Sequence, residues 1–435
     1  MHMNVNDSAA KRYKIICCGC QSVVPEMGYA PQCRCGNALL RTVYNDSRLK
    51  VTTDDSMWRY AVWLPTAGTL RTRGKPVTYQ SAAFAREMGL KRLFISFNGY
   101  WPERNAALET CSFKELESPP TVQRAVENKV KALVVSSVGN SARAFAHTVS
   151  TTATDLKLVL VGLQSAIGKL WLPEPPSENI ALVVLQRGND YSDAIALGNR
   201  VAALPDLTSE GGAMNVARRD GMGTVMLDAA VTIGRTPDHY FQAIGSGTGG
   251  IAAWEASLRL KEDGRFVHGK LPKLNLSQNR PFVPMFNAWN AKRRIIDPSV
   301  DMPDAKKSIE KLRADVLSNR NPPYSIEGGV FDALTNTGGE MYAVTDSEAK
   351  DAARLFEDLE GIDIVPAAAV AAASLVQAVN SGAISPSEIV LLNITGGGLK
   401  RVREDKECYQ LKPNIRVARP DVDLTEIEEA LASGR

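Results

Sequence analysis

One lysine in this 435-residue sequence occupies a position where its amine could take part in catalysis. Lys114 ends residues 110–114 (TCSFK), a turn that precedes a predicted helix. Burial in such a turn lowers the pKa of a lysine, which can then act as an amine nucleophile and as a base. A lysine considered alone is more often exposed on the surface, so this interpretation depends on the residues that accompany it.

A glycine-rich turn, residues 245–250 (GSGTGG), lies between a predicted strand and a predicted helix. Glycines let backbone N–H groups turn toward a phosphate, and the start of the helix favours negative charge. The turn lacks the Lys-Ser/Thr pair of a Walker A loop and the acidic residue of a dinucleotide fold. Two interpretations therefore remain open: a tight connection, or a phosphate site formed by Ser246, Gly247, Thr248, Gly249 and Gly250.

A second polar turn, residues 136–141 (SSVGNS), also follows a predicted strand. Ser137, Asn140 and Ser141 bring two hydroxyls and an amide together with the N–H groups of a helix start. Such a turn can bind a carboxylate. An ordinary helix-capping turn has the same composition, and on this segment alone that alternative is favoured.

The lysine, the phosphate turn and the carboxylate turn are together the parts that a pyridoxal-phosphate (PLP) enzyme needs. PLP also requires a partner for its ring nitrogen. Thr395 ends the last predicted strand beside three glycines and can supply a hydroxyl for that purpose. The combination predicts a PLP enzyme with Lys114 as the residue that holds the cofactor.

Five of the seven cysteines lie within the first 35 residues. Cys17, Cys20, Cys33 and Cys35 resemble the two knuckles of a zinc ribbon, in which glycine turns let thiolates converge on one ion. The second knuckle is one residue shorter than the usual C-x-x-C. A zinc site and a degenerate ribbon that has lost its metal both remain open. The odd count argues against a disulfide framework.

Apolar segments alternate with helical patterns along most of the chain. Strands are predicted at residues 92–97, 132–137, 156–162, 180–185, 240–244 and 389–394. Helices are predicted at residues 80–89, 115–131, 141–149, 191–203, 223–233, 250–260, 351–359 and 367–379. This alternation is typical of α/β proteins with a parallel sheet covered on both faces. Residues 262–325 are polar and proline-rich, and we expect loops there.

The composition is that of a globular protein, with 44% hydrophobic and 23% charged residues and a net charge of +3. We find no basic stripe that would indicate nucleic acid, and we expect no membrane partner. The Ala-rich residues 364–379 are too short to span a bilayer. The N-terminal residues lack the apolar region of a secretory signal, so we expect a cytoplasmic protein that forms a homo-oligomer.

Several segments in combination resemble the threonine synthase family. They are residues 76–81 (PVTYQS), 90–95 (LKRLFI) and 112–114 (SFK), the spaced Asn215, Arg218, Gly221 and Thr224, and residues 366–369 (PAAA). The cysteine-rich start resembles archaeal members. The likeness extends over nearly the whole chain.

The resemblance implies a fold type II PLP enzyme, with two doubly wound α/β domains and a small zinc-ribbon-like segment. The expected boundaries are 1–45 for that segment, 46–97 with 208–435 for the large PLP domain, and 98–207 for the small domain with Lys114. It implies that Asn140 contacts both cofactor and substrate. Asn215 and Arg218 become candidates for binding the substrate, with Ser137 and Ser141.

Two departures from the family pattern stand near Lys114. Glu115, Leu116 and Glu117 replace Asp-Arg-Gly, and residues 98–108 look like an insertion. They resemble methanogen paralogues of the family that serve coenzyme M synthesis. That branch converts O-phospho-L-serine and sulfite to L-cysteate and phosphate by β-replacement. Two alternatives remain: threonine synthesis from O-phosphohomoserine, and a non-catalytic protein that binds PLP or a partner.

Overall fold

The computed structural model describes residues 12–26, 28–36, 38–137, 139–267 and 269–433. The predicted absence of a signal at the extreme N-terminus falls on residues 1–11, outside this part of the chain. Within it, no helix combines the length and apolar character needed to cross a membrane.

A large six-stranded sheet forms one half of the molecule. Its strands, in spatial order, are Glu340–Val344, Lys273–Asn279, His239–Ala243, Ile389–Ile394, Arg92–Phe97 and Val77–Gln80. All neighbours are parallel except the last pair, which is antiparallel. Tyr240 and Leu391 belong to one apolar core, whereas the adjacent Phe241 and Leu392 belong to another. The sheet is therefore covered on both faces, as continuously apolar strands require.

A smaller sheet of five parallel strands forms the second half. Its order is Leu207–Ser209, Ala132–Ser136, Lys157–Leu163, Ile180–Leu185 and Ile415–Val417. Alternate residues again divide between two cores, with Leu133 in one and Val134 in the other. The predicted α/β class with two doubly wound sheets matches this architecture.

The cysteine-rich start forms a third, separate sheet. Its strands are Val23–Val24, Tyr13–Cys17 and Leu40–Tyr44, all antiparallel. Two further pairs join short segments, Tyr100–Trp101 with Ala106–Ala107 and Trp171–Leu172 with Tyr409–Gln410.

Helices cover the faces of the sheets and connect their strands. The α-helices are Ala83–Glu87, Ser118–Glu127, Asn140–Thr151, Tyr191–Val201, Val216–Ile233, Thr248–Asp263, Pro284–Asn290, Pro298–Asp301, Ala305–Glu310, Val330–Thr337, Asp346–Glu360, Pro366–Asn380, Leu399–Asp405 and Thr425–Ser433. The 3-10 helices are Met57–Trp63, Pro102–Arg104, Phe113–Leu116, Gln164–Lys169, Gly212–Met214 and Asp315–Leu317.

The predicted strands are all present within one residue at each end. The helix predicted at 223–233 begins seven residues earlier, at Val216, because Asn215 caps it by accepting from the Ala217 and Arg218 N–H groups. The expectation of loops over 262–325 is wrong in part. Lys273–Asn279 is an inner strand of the large sheet, although four of its seven residues are Asn, Ser or Gln.

The C-terminal region crosses between the two sheets. The sequence placed residues 208–435 with the large domain, but Ile415–Val417 pairs with Ile180–Leu185 of the small sheet. That edge strand therefore belongs with residues 98–207 in space. The exact domain boundaries stay a prediction.

Candidate active site

A cleft opens where strands of the two sheets end. Ser137, which follows a strand of the small sheet, lines this cleft. Gly245 and Thr395, which follow two strands of the large sheet, line it as well. Ligands bind at such carboxyl ends in open α/β sheets. Ten of the predicted site residues line this cleft: Lys114, Ser137, Asn140, Ser141, Arg218, Ser246, Gly247, Thr248, Gly249 and Thr395.

Lys114 lies in the Phe113–Leu116 3-10 helix, which Ser112 starts by accepting from the Lys114 N–H. Its side chain is 18% exposed, and its Nζ lies 3.1 Å from Oε2 of Glu117 and 3.8 Å from Sδ of Met222. Burial lowers the pKa of Lys114, and the Glu117 carboxylate opposes that effect. The amine is thus held in the cleft and is more readily neutral than an exposed lysine.

Glu117 joins Lys114 to a buried ion-pair network. Its carboxylate accepts from Nε of Arg218 at 3.0 Å and from Oγ of Ser141 at 2.7 Å. The other side of the Arg218 guanidinium donates to Oε2 of Glu210 at 2.6 Å. Two cations and two anions therefore alternate, which offsets the cost of burying each charge.

The glycine turn presents the start of the 16-residue Thr248–Asp263 helix to the cleft. Gly247 has a φ of +84°, a left-handed conformation that favours glycine. A Cβ added at Gly249 would lie 2.4 Å from Nε2 of Gln242 and 3.1 Å from the Phe113 ring. Because the first N–H groups of a helix have no partner within it, they are available to a phosphate. The turn fits the phosphate of PLP.

A second helix start faces the same cleft from the small sheet. Gly139 precedes the Asn140–Thr151 helix with a φ of +156°. Oδ1 of Asn140 accepts from the buried Arg143 at 3.2 Å, and Ser141 binds both Glu117 and Arg218. The cleft thus holds two positive helix ends, one contributed from each sheet, which suits a ligand with two anionic groups.

Two predicted residues do not line the cleft. Gly250 lies in the helix, where a Cβ would stand 3.0 Å from the Leu276 side chain, so its smallness serves packing on the sheet. Asn215 caps the Val216–Ile233 helix and donates to the hydroxyl of Tyr29 and the carbonyl of Glu210. Its amide is thereby used in holding structure, and its contact with the substrate stays a prediction.

The two departures near Lys114 have different positions. Glu115 turns away from the cleft and accepts from Thr110, while its other oxygen lies 3.4 Å from Nε2 of His147. Residues 98–108 contain a hairpin that packs on the Gly397 and Gly398 backbone, and none of them lines the cleft. The position of this insertion relative to the cofactor stays a prediction, whereas Glu117 lies within the ion-pair network.

Several lining residues had no sequence signal of their own. Tyr191 begins a helix, Gln242 lies within an apolar strand, and Asn319 belongs to the region expected to be loops. Oε1 of Gln242 accepts from Tyr240 and Asn393, at 2.6 and 2.9 Å. Glu210, the second partner of Arg218, was missed as well. Only the fold brings these polar residues to the cleft.

The four predicted metal ligands converge in the cysteine segment. The sulfurs of Cys17 and Cys35 are 3.3 Å apart, those of Cys20 and Cys33 are 3.5 Å apart, and all four lie within 4.8 Å of one another. Tetrahedral zinc with Zn–S bonds of about 2.3 Å separates its sulfurs by about 3.8 Å. The irregular second knuckle therefore still brings its thiols together, and the donor set fits zinc.

Comparisons with known proteins agree with this geometry. The profile of the family described as "Pyridoxal-phosphate dependent enzyme" matches residues 93–396. Cysteate synthase of Methanosarcina barkeri (strain Fusaro / DSM 804) is 55% identical over 400 residues, 92% of this chain and 95% of that protein. Cysteate synthase of Methanocella paludicola is 54% identical over 420 residues, 96% and 97% of the two chains.

Solved structures are similar in fold at low identity. Diaminopropionate ammonia lyase from Escherichia coli has a TM-score of 0.56 with 15% identity and covers 77% of this chain and 88% of its own. A pyridoxal 5'-phosphate-dependent aspartate racemase has a TM-score of 0.55 with 15% identity, covering 74% and 90%. At this identity the likeness concerns the fold, and the predicted fold class is confirmed.

Proposed function

Since the chain belongs to the family of pyridoxal-phosphate-dependent enzymes, and to the cysteate synthases within it, we propose that its cleft converts O-phospho-L-serine and sulfite to L-cysteate and phosphate. The observation that carries the proposal is the 55% identity over 92% of the chain, together with a half-buried lysine between two helix starts. The product is the sulfonate precursor that coenzyme M synthesis requires.

PLP, when bound, supplies an electron sink for a substrate carbon that loses a proton. Lys114 would hold it. The N–H groups of Thr248 and Gly249, with the hydroxyl of Ser246, would bind its phosphate. Thr395 also lines the cleft, and its hydroxyl would serve the ring nitrogen. Asn140 completes the polar lining from the small sheet.

The substrate carboxylate binds at the start of the Asn140–Thr151 helix, where Ser137 and Ser141 add hydroxyl groups. This places the Cα–H bond near Nζ of Lys114. The neutral amine removes the Cα proton and later returns it, so the lysine serves as both base and acid. Burial, which lowers the pKa of Lys114, favours the neutral form that this step needs.

The replacement occurs at Cβ. The bond from Cβ to the phosphate oxygen breaks, and its electron pair leaves with the phosphate. The lone pair of the sulfite sulfur then forms the new Cβ–S bond, so atoms and charges balance between substrates and products.

Arg218 lines the cleft and supplies the positive charge that binds the leaving phosphate. Glu117 and Glu210 fix its guanidinium in place, and its Nη2 also binds Ser141 at 2.9 Å. A salt bridge that merely packs the two halves would use the same contacts.

The deciding experiment is product analysis by mass spectrometry with purified enzyme. Phosphoserine with sulfite should yield cysteate and phosphate, and phosphohomoserine with water should yield little or no threonine. Efficient threonine formation would support the threonine synthase alternative instead. Absence of turnover with either substrate would indicate a binding protein. A cytoplasmic homo-oligomer stays a prediction that light scattering and fractionation can check.

A further inference from the structure

The loop between the two cysteine knuckles, residues 21–32, reaches the elements that build the cleft. Tyr29 on this loop is buried, with 9% exposure, although its neighbours Gly28 and Ala30 are not. Its ring packs in the small-sheet core with Val122 and Ala125 of the Ser118–Glu127 helix. The 21–32 loop is thus packed into the core of the small sheet by one aromatic side chain.

The hydroxyl of Tyr29 binds two residues that hold Arg218 in place, Glu210 and Asn215. It donates to the main-chain oxygen of Glu210 at 3.3 Å and accepts from Nδ2 of Asn215 at 2.8 Å. The carboxylate of Glu210 accepts from Arg218, and Asn215 caps the helix on which Arg218 stands. One hydroxyl therefore fixes both the acid that pairs with Arg218 and the start of its helix.

The main chain of Tyr29 binds the Ser118–Glu127 helix, which follows Glu117 in the chain. Its carbonyl accepts from Nη2 of Arg124 at 3.3 Å, and Arg124 is 2% exposed and paired with Glu26 of the same loop. Arg124 lies on the Ser118–Glu127 helix, which begins one residue after Glu117. The loop thus contacts the two helices that carry the partners of Lys114.

We propose that Tyr29 is a positioning residue that couples zinc binding by Cys17, Cys20, Cys33 and Cys35 to the placement of Arg218 in the cleft. A zinc ion that closes the two knuckles fixes both ends of the 21–32 loop. The loop then holds Glu210 and Asn215 in place through one hydroxyl. Zinc occupancy thereby sets the affinity for the phosphorylated substrate, while PLP binding stays independent of it.

The test rests on the proposed function, because it measures the KM for phosphoserine of the PLP-loaded enzyme. Wild-type protein should contain about one zinc per chain. Tyr29→Phe keeps the ring and removes the hydroxyl, so zinc and PLP content should stay unchanged. Its KM should rise about threefold to tenfold, the effect of one buried hydrogen bond, with kcat nearly constant. Cys33→Ser should lose zinc and raise KM at least as much.

The double variant Tyr29→Phe/Cys33→Ser decides whether the two effects are coupled. Its KM should stay within about twofold of the Cys33→Ser value, because the hydroxyl has no fixed loop to act through. Tyr79→Phe is the matched control, since it also removes one hydrogen-bonded tyrosine hydroxyl, but that hydroxyl donates to Glu360, a residue outside the 21–32 loop and the Arg218 network. That variant should leave KM unchanged.

Independent, multiplying effects of the two substitutions would overturn the proposal. So would zinc-free wild-type enzyme with normal KM, or an equal rise in KM for Tyr79→Phe. If wild-type enzyme does not use phosphoserine, the proposed function fails, and the coupling is judged by PLP fluorescence instead. Chelation of zinc should then change the emission of bound PLP in wild-type holoenzyme, because Arg218 reaches Lys114 through Glu117, while the PLP content and the emission of Tyr29→Phe stay unchanged. A change of the same size in both would contradict the coupling.

Discussion

Nζ of Lys114 lies 3.1 Å from Oε2 of Glu117, and the Glu117 side chain has no exposed surface. The same carboxylate binds Arg218, so Lys114 and Arg218 share one anionic partner. The family pattern has glycine three residues after the lysine, where this chain has Glu117. The position and charge of Lys114 therefore depend on a residue at which this chain departs from the threonine synthase pattern.

Glu117→Gln should shift the titration of Lys114. The Glu117 carboxylate favours the ammonium form, whereas burial and Arg218 disfavour it, so removing the negative charge lowers the pKa further. The midpoint of PLP uptake by cofactor-free enzyme, followed against pH, should move to lower pH. Glu109→Gln removes a nearby carboxylate that pairs with Lys406 instead, and should leave the midpoint unchanged.

Lys114→Ala should abolish turnover and leave PLP bound only non-covalently. Borohydride treatment followed by peptide mass spectrometry should find the fixed cofactor on Lys114 in wild-type enzyme and on no lysine in the variant. Lys131→Ala changes an exposed lysine paired with Asp206 and is the control. A reducible adduct that persists in Lys114→Ala would place the anchor at another lysine.

Gly249→Ala should weaken PLP binding by about tenfold or more. The added Cβ would stand 2.4 Å from Nε2 of Gln242 beside the phosphate turn, so the turn must move. Gly168→Ala places its methyl group in open space and serves as the comparison. Fluorescence titration of both proteins with PLP measures the difference; equal affinities would move the phosphate site elsewhere.

Arg218→Lys should raise the KM for phosphoserine about tenfold while PLP content stays normal. Lysine keeps the charge but cannot bind Glu117, Glu210 and Ser141 at once. Arg218→Ala is less informative, because it leaves two buried carboxylates without their cation and destabilises the fold. Steady-state kinetics with phosphoserine and sulfite provide the measurement, and an unchanged KM would leave Arg218 a packing residue.

His147 should stabilise the fold most strongly at low pH. Burial lowers its pKa, but Glu115 and Glu174 outweigh that effect and raise the pKa to about 10 from the usual 6.5. The stabilisation is therefore complete below about pH 6.5 and is lost as the pH rises through 10. In urea, His147→Gln should lose about 3 kcal/mol of unfolding free energy at pH 6 and much less above pH 10. A difference independent of pH would show that His147 is neutral.

The sequence predicted those strands that are defined by a local run of apolar residues. Arg92–Phe97, Ile180–Leu185 and Ile389–Ile394 are mostly apolar and largely buried, and they were found at the predicted residues. Lys273–Asn279 was missed, because Asn275, Ser277 and Gln278 are buried polar residues that resemble a loop.

Ion pairs between residues far apart in the sequence could not be predicted from the residues alone. Arg218 and Glu117 are 101 residues apart, and each taken alone would be expected at the surface. The membership of the cysteate-forming branch was nevertheless predicted from the residues around Lys114, and the relatives confirm it.

The crossing of Ile415–Val417 to the small sheet has a consequence for biosynthesis. Its partner strand ends at Leu185, so 229 residues of chain separate the two paired segments. During translation the nascent polypeptide leaves this edge of Ile180–Leu185 unpaired until residues 415–417 have been synthesised. The small sheet is therefore completed after the large one, and until then this edge is open to pairing with other chains.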